Sequence, residues 1–376
     1  MASARSSTKH RYSIQDRDRR NAREMKVTLA DVIDQLASST QRSLLLKVDD
    51  HEISFTNLDK VFWPKSRLGP AITKRDYAIY LARISPYLLP HLRDRPVTLV
   101  RLPNGIASGR FYQRHWDFKP PPFVETVKLY SEHKEDDGEY ILCSNLASLL
   151  WFAQIANLEL HAWLSSTNPE PDAPKTSRTF TGSAAKIDKS ILNHPDFLVF
   201  DLDPYIYAGK EKEGDEPELN RKGFKKTCDL ALWLKDILDG LKVDSFLKTT
   251  GKTGLHVFVP LVRRYNFDTT RSMAQTIGDF VREKHPRDVT MEWSVGKRPG
   301  KVFLDHNMNA RSKTLAAIYS ARGAPGAPIS FPLGWNDLRE VYPTDFTINT
   351  VPDLLAKQGD LWSDILEHRN QLKTSE

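Results

Sequence analysis

Cysteine is scarce: Cys143 and Cys228 are the only two in 376 residues. Neither has partners at the spacing of a zinc site, and two thiols cannot build the disulfide framework of a small secreted domain, so a reducing compartment and no structural zinc are expected. Long apolar runs are missing as well. No stretch approaches the roughly 20 residues of a membrane-spanning helix, and residues 1–26 have no apolar segment of the secretory kind. They hold eight basic side chains against three acidic ones, the pattern of a disordered basic tail. An organellar presequence is poorer in acids and apolar on one face. What remains is an ordinary globular composition, 40% apolar and 43 kDa, with chain enough for one large or two modest domains. A net charge of +6 leans towards a polyanionic partner.

The first chemical signal is Phe197-Leu198-Val199-Phe200-Asp201-Leu202-Asp203-Pro204, an apolar strand that ends in two aspartates. Alternate residues of a strand share a face, so Asp201 and Asp203 lie roughly 6 to 7 Å apart along the backbone and point the same way. Two converging carboxylates repel unless a cation lies between them, and hard divalent ions take oxygen ligands. Taken alone, the pair fits a polar strand end equally well. A third carboxylate, Asp305, closes a second apolar strand, Val302-Phe303-Leu304-Asp305, amid Arg298, Lys301, Arg311, Lys313 and Arg322. Three carboxylates suit two divalent ions, and the cations suit a triphosphate, which is the constellation of two-metal phosphoryl transfer.

Between these lies Lys248-Thr249-Thr250-Gly251-Lys252-Thr253-Gly254-Leu255-His256, two strands joined by a glycine-bracketed turn. Glycines let backbone amides approach an anion, and Thr250, Lys252, Thr253 and His256 add donors. It is not a Walker A loop, because a strand follows where that motif needs a helix; a plain hairpin turn remains open.

Upstream, a short helix is expected over residues 27–37 and a first strand at Ile53-Ser54-Phe55, with ordered sequence from about Leu46. Thr73 is placed to cap a helix over residues 76–88. Lys74, in its first turn, and Lys60 suit a phosphate at a helix N-terminus, or are simply solvated. Strands at residues 97–102 and 109–115 flank a turn at Pro103-Asn104-Gly105; alternation puts Phe111 and Tyr112 on opposite faces, one in the core and one free to stack on a base. Residues 143–157 form a buried helix starting near Ser144. In the strand that follows, His161 shares a face with Glu159, which argues against a packed core histidine. Residues 165–189 read as a connecting loop and 208–219 as a charged insertion. The helix over residues 223–241 buries Phe224, Cys228, Ala231, Leu234, Leu238 and Leu241 on one side.

In this order the motifs resemble the archaeo-eukaryotic primase superfamily, most closely the polymerase domain of bacterial multifunctional DNA ligase D. The resemblance runs from Ile53 to Trp335, through Asn57-Leu58-Asp59-Lys60, Phe111-Tyr112-Gln113-Arg114-His115, Phe200-Asp201-Leu202-Asp203-Pro204, Gly254-Leu255-His256-Val257 and Val302-Phe303-Leu304-Asp305. It implies an α/β (α+β) fold with a primase-like core of mixed and antiparallel sheets flanked by helices. The expected division is a tail over 1–45, a catalytic domain over 46–345 (an N-terminal part 46–165 and a catalytic part 190–345) and closing helices over 346–376. The chain reads as a stand-alone polymerase, without room for ligase or nuclease domains after Trp335.

The resemblance makes Asp201, Asp203 and Asp305 the catalytic metal ligands, for two Mn²⁺ or Mg²⁺ ions. It makes His161, Thr250, Lys252, His256, Arg298, Lys313 and Arg322 contacts to the incoming nucleotide, Asn57, Lys60 and Lys74 the pocket for a DNA 5′-phosphate, and Phe111 and Tyr112 the template-stacking pair. The implied activity is templated addition of nucleotides, ribonucleotides preferred, to a 3′-OH at gaps or double-strand-break ends in non-homologous end joining. The expected partners are gapped or 5′-phosphorylated DNA, NTP or dNTP, a separate DNA ligase and a Ku-type end-binding protein, with no membrane and a cytoplasmic, nucleoid setting in a prokaryote. Primer-independent priming and non-catalytic end bridging are the alternatives. Two positions depart from the family pattern: Thr253 stands where lysine is frequent and Met308 where glutamine is.

Overall fold

The structure is a computed structural model and describes residues 27–173, 175–209, 211 and 216–372. The expected basic tail, residues 1–26, lies outside the described residues, as do 210 and 212–215 of the charged insertion.

Beside two short ribbons, β1 (Leu44–Val48) with β2 (His51–Phe55) and β3 (Val61–Trp63) with β4 (Ile72–Thr73), two six-stranded sheets frame the molecule. The first runs β13 (Val289–Thr290), β14 (Val302–Asp305), β10 (Phe197–Pro204), β12 (Leu255–Pro260), β11 (Phe246–Thr249) and β16 (Pro332–Leu333). The second runs β15 (Thr314–Ala316), β9 (Asn157–Trp163), β5 (Pro96–Arg101), β8 (Asp136–Leu142) and β7 (Thr126–Ser131), with β6 (Phe111–Gln113) paired to β5. All these pairings are antiparallel except β13 with β14. The expected split at residue 190 is not a clean one, because β15, from the later part of the chain, joins the sheet built by the earlier part. The main hydrophobic core, containing Leu160, Phe200, Val257 and Leu304, runs through both sheets, and a smaller cluster gathers Leu129, Tyr140, Trp163, Ile187 and Leu192.

The helices follow from their caps and apolar stripes. Thr73 caps Lys74–Leu92 in a reciprocal capping box with Asp76, as its sequence position predicts. Asn145, not Ser144, caps Leu146–Gln154 by accepting from Ser148 N at 2.8 Å. Helix Arg221–Gly240 buries Phe224, Cys228, Ala231, Leu234 and Leu238. Leu241 is 52% exposed, because the helix has already ended there.

Order also begins earlier than Leu46: helix Leu29–Ser38 places Val32 and Leu36 in the main core, and strand Leu44–Val48 pairs with His51–Phe55. The connecting loop after β9 carries one short helix, Ala184–Asp188. Among the described residues after 346 stand one α-helix, Val351–Gln358, and a 3₁₀ turn, Ser363–Leu366.

Candidate active site

Antiparallel register sets the carboxylates. Asp201 on β10 is the direct partner of Asp305 on β14, and on its other side of His256 on β12. Directly paired residues of an antiparallel ladder share a face, so two acids and an imidazole converge where the three central strands meet. Asp203 follows on the same face, one pleat further along β10.

Such crowding is costly, and the groups respond. Burial and the neighbouring Asp305 push the Asp201 carboxyl up to about 7, although Lys248 and Arg322 pull against them. Burial, Asp201, Glu216 and Asp305 raise Asp203 well above the usual carboxylate range. Asp201 Oδ1 is buried without a hydrogen bond, 3.1 Å from His256 Nε2 in a contact too poorly aligned to make one. Among the described residues no three His, Cys, Asp or Glu side chains already stand at coordinating distance from one point. The donor set still fits a hard divalent cation: oxygen ligands, mutual repulsion and an orphaned buried oxygen are each what such an ion would satisfy.

The face opens on a cleft of about 470 Å³ lined by Asp201, Asp203, His161, Thr250, Lys252, His256, Arg322, Tyr112, Thr253 and Met308, together with Glu216 from the insertion. The glycines of the β11–β12 turn permit its close approach. A Cβ on Gly254 would fall 2.2 Å from Leu202 O, and Gly251, at φ 76°, faces Arg322 Cγ and Ser330 N. Two of the turn's amides, Lys252 N and Gly254 N, donate to Thr250 Oγ1 at 3.2 Å. They are therefore used inside the turn, and the loop offers fewer free donors to an anion than its glycines suggest.

Arg322 crosses between the sheets. Its Nε donates to Glu159 Oε2 at 3.0 Å, and its Nη1 donates to the Thr250 carbonyl. Burial alone would raise Glu159, but Arg322, His161 and the Gly323 amide together hold it far below the carboxylate range. His161 is lowered, chiefly by burial.

Behind the site, Lys248 Nζ lies 2.7 Å from His256 Nδ1 and donates to Ser330 Oγ at 2.6 Å. Burial depresses both Lys248 and His256 well below their usual values. His256 Nδ1 is thus engaged by Lys248, while Nε2 faces Asp201 Oδ1 at 3.1 Å without a hydrogen bond. Lys248 and Glu159 were not among the expected site residues. A lone lysine in the apolar strand Phe246–Thr249 was the available signal for the first, and a glutamate two residues from a site histidine for the second.

Not every expected contact converges. Arg298 is buried away from the cleft, bonded to Tyr205 Oη at 2.6 Å and to the Glu292 and Trp293 carbonyls, with Phe303 beneath it; it touches the cleft only through Tyr205. Lys313 lines a neighbouring 180 Å³ cavity with Arg114, His133 and Arg311. Arg311 is ion-paired with Glu132 and Asp188, and Lys301 donates to the Pro286 carbonyl.

A second cluster forms at the head of helix Lys74–Leu92. Lys74 N donates to Lys60 O at 2.8 Å, and Lys60 N to Asn57 O at 3.0 Å, with Asn57 at φ 52°. Lys60 Nζ donates to Asn104 Oδ1, and Lys74 Nζ to Gln154 O and Oε1. Burial, then Lys60, lower Lys74 to about 8.

Phe111 and Tyr112 depart from expectation. Neither is core: they are 62% and 60% exposed, because β6 is a three-residue edge strand paired only with β5 and covered on neither face. Tyr112 lines the cleft.

Two largely antiparallel sheets, with Asp201, Asp203 and Asp305 gathered at the centre of one and a cleft carrying Lys252 and Arg322 beside them, define a domain of the primase-polymerase class. The chain belongs to the LigD primase-polymerase domain family, which it matches over residues 73–362. That span extends past Trp335 and takes in helix Val351–Gln358.

Among curated relatives, the bifunctional non-homologous end joining protein LigD of Bacillus subtilis (strain 168) is 29% identical over 310 residues, 82% of this chain and 43% of that protein. The multifunctional LigD of Mycolicibacterium smegmatis is 27% identical over 309 residues, 82% of this chain and 35% of that protein. The chain thus spans less than half the length of these relatives. Among solved structures, the polymerase domain of Mycobacterium tuberculosis ligase D in complex with DNA matches with a TM-score of 0.69 and 25% identity, covering 85% of this chain and 99% of that one.

Proposed function

We propose that the chain is a metal-dependent, template-directed nucleotidyltransferase that adds nucleotides, ribonucleotides in preference, to a primer 3′-OH at gaps and double-strand-break ends in non-homologous end joining. One observation carries this reading: Asp201 and Asp203 line a cleft that also holds Thr250, Lys252 and Arg322, and Asp305 is the direct register partner of Asp201.

Asp201, Asp203 and Asp305 would hold two Mn²⁺ or Mg²⁺ ions, which when bound supply the charge that lowers the pKa of a 3′-OH and neutralises the phosphates. The side chains do the positioning. Arg322, tied to the β11–β12 turn, orients a triphosphate with Thr250 and Lys252, and His161 borders it. Tyr112 and Phe111 give stacking faces to a template base. Asn57, Lys60 and Lys74 gather where a downstream 5′-phosphate meets a helix N-terminus.

The DNA held by the M. tuberculosis domain supports DNA as the substrate here. A separate ligase and a Ku-type protein are the partners this role calls for, in a cytoplasmic, nucleoid setting. The test is primer dependence on a gapped template. Extension is expected only with a 3′-OH present and should be stimulated by a downstream 5′-phosphate; product on a template lacking any 3′-OH would make the protein a primase instead.

A further inference from the structure

We propose that Glu159 is the positioning residue of the nucleotide subsite, one buried carboxylate that fixes Arg322 and His161 together and sets the proton of His161 on Nε2. The inference rests on the nucleotide-transfer reading of the cleft and assigns a residue that touches no substrate.

Glu159 lies on β9 and is 1% exposed. An ionised carboxylate is buried only when donors surround it, and three do. Oε2 accepts from Arg322 Nε at 3.0 Å and from His161 Nε2 at 3.1 Å, and Oε1 accepts from Gly323 N at 2.8 Å. Gly323 allows that approach, since a Cβ there would stand 3.2 Å from both Oε1 and Leu102 Cδ2.

Each partner reaches the cleft. Arg322, anchored at Glu159 through Nε and at Thr250 through Nη1, has no hydrogen bond at Nη2 among the described residues, which leaves that nitrogen for an anion. Its own carbonyl accepts from the buried Trp63 Nε1 at 2.9 Å, so both backbone and guanidinium are held. A carboxylate only accepts hydrogen bonds, so the His161 nitrogen facing it carries the proton. Nδ1, which has no hydrogen bond among the described residues, is then the ring position available in the cleft. Glu159 thus converts two flexible side chains, borne by different segments, into one fixed recognition edge.

The test uses the full chain with ¹⁵N-labelled histidine, the His161 signal being assigned by its loss in His161→Gln. In the wild type the proton is expected on Nε2; a proton on Nδ1 overturns the proposal whether or not Glu159→Gln folds. In Glu159→Gln a single amide oxygen cannot serve three donors. Binding of a fluorescent, non-extendable NTP analogue should then weaken by about tenfold or more, with a rise in KM larger than the fall in kcat, while affinity for gapped DNA stays within about twofold. Unchanged analogue binding by folded Glu159→Gln, or an equal loss of nucleotide and DNA binding, would contradict it. Failure of the wild type itself to bind the analogue would count against the nucleotide-transfer reading, and the histidine spectrum would still decide the role of Glu159.

Discussion

Asp201 and Asp305 face each other as direct antiparallel partners, the former 3.1 Å from His256 on its other side. Three central strands therefore press two acids and an imidazole together, and in the absence of a cation the result is electrostatic stress rather than stability.

That stress should be measurable. The folded-state pKa of Asp201, about 7, lies above its ordinary value, so its contribution to stability is fully present at low pH and is lost as pH rises from about 4 to 7. At pH 7.5 in EDTA, Asp201→Asn should melt a few degrees above the wild type, a gain on the order of 1 kcal/mol. Mn²⁺ should raise the melting temperature of the wild type and leave that of Asp201→Asn nearly unmoved. Equal metal shifts in both proteins would remove Asp201 from the ligand set.

Lys74 should give the 5′-phosphate preference a pH dependence. Its ammonium, lowered to about 8 by burial and Lys60, is charged below that value and neutral above it. Discrimination between 5′-phosphorylated and 5′-hydroxyl gapped DNA should therefore be greatest near pH 7 and fall above pH 8, a bound phosphate moving the midpoint upward. Lys74→Gln should flatten the profile, and titrating both DNAs by fluorescence anisotropy would show it.

Because both aromatics are exposed, Phe111→Ala and Tyr112→Ala should cost almost no thermal stability. Each should weaken binding to DNA with an unpaired template base by roughly 1 to 3 kcal/mol if it stacks. A large drop in melting temperature for either would restore the expectation that one of them is core.

How much of this was legible in the sequence follows from how local each signal is. The cap at Thr73, the alternation around Asp201 and the glycine-bracketed turn are set by neighbours in the chain, and the structure reproduces them. Other features depend on long-range pairing. Phe111 and Tyr112 are both exposed because nothing covers a short edge strand, which their alternation cannot show. Arg298 and Lys313 lie close to Asp305 in sequence, yet the first bonds Tyr205 and the second lines a neighbouring cavity. Glu159 and Lys248 act through groups brought from distant segments: Arg322 and Gly323 for the first, Ser330 for the second.

The most direct measurement is extension of a gapped DNA bearing a downstream 5′-phosphate, with NTPs and dNTPs compared in Mn²⁺, by the wild type and by Asp201→Ala. The wild type should extend the primer, more readily with NTPs, and Asp201→Ala should bind the same DNA without extending it. Binding without extension by the wild type under every condition would contradict the account and leave a protein that holds DNA ends without joining nucleotides to them.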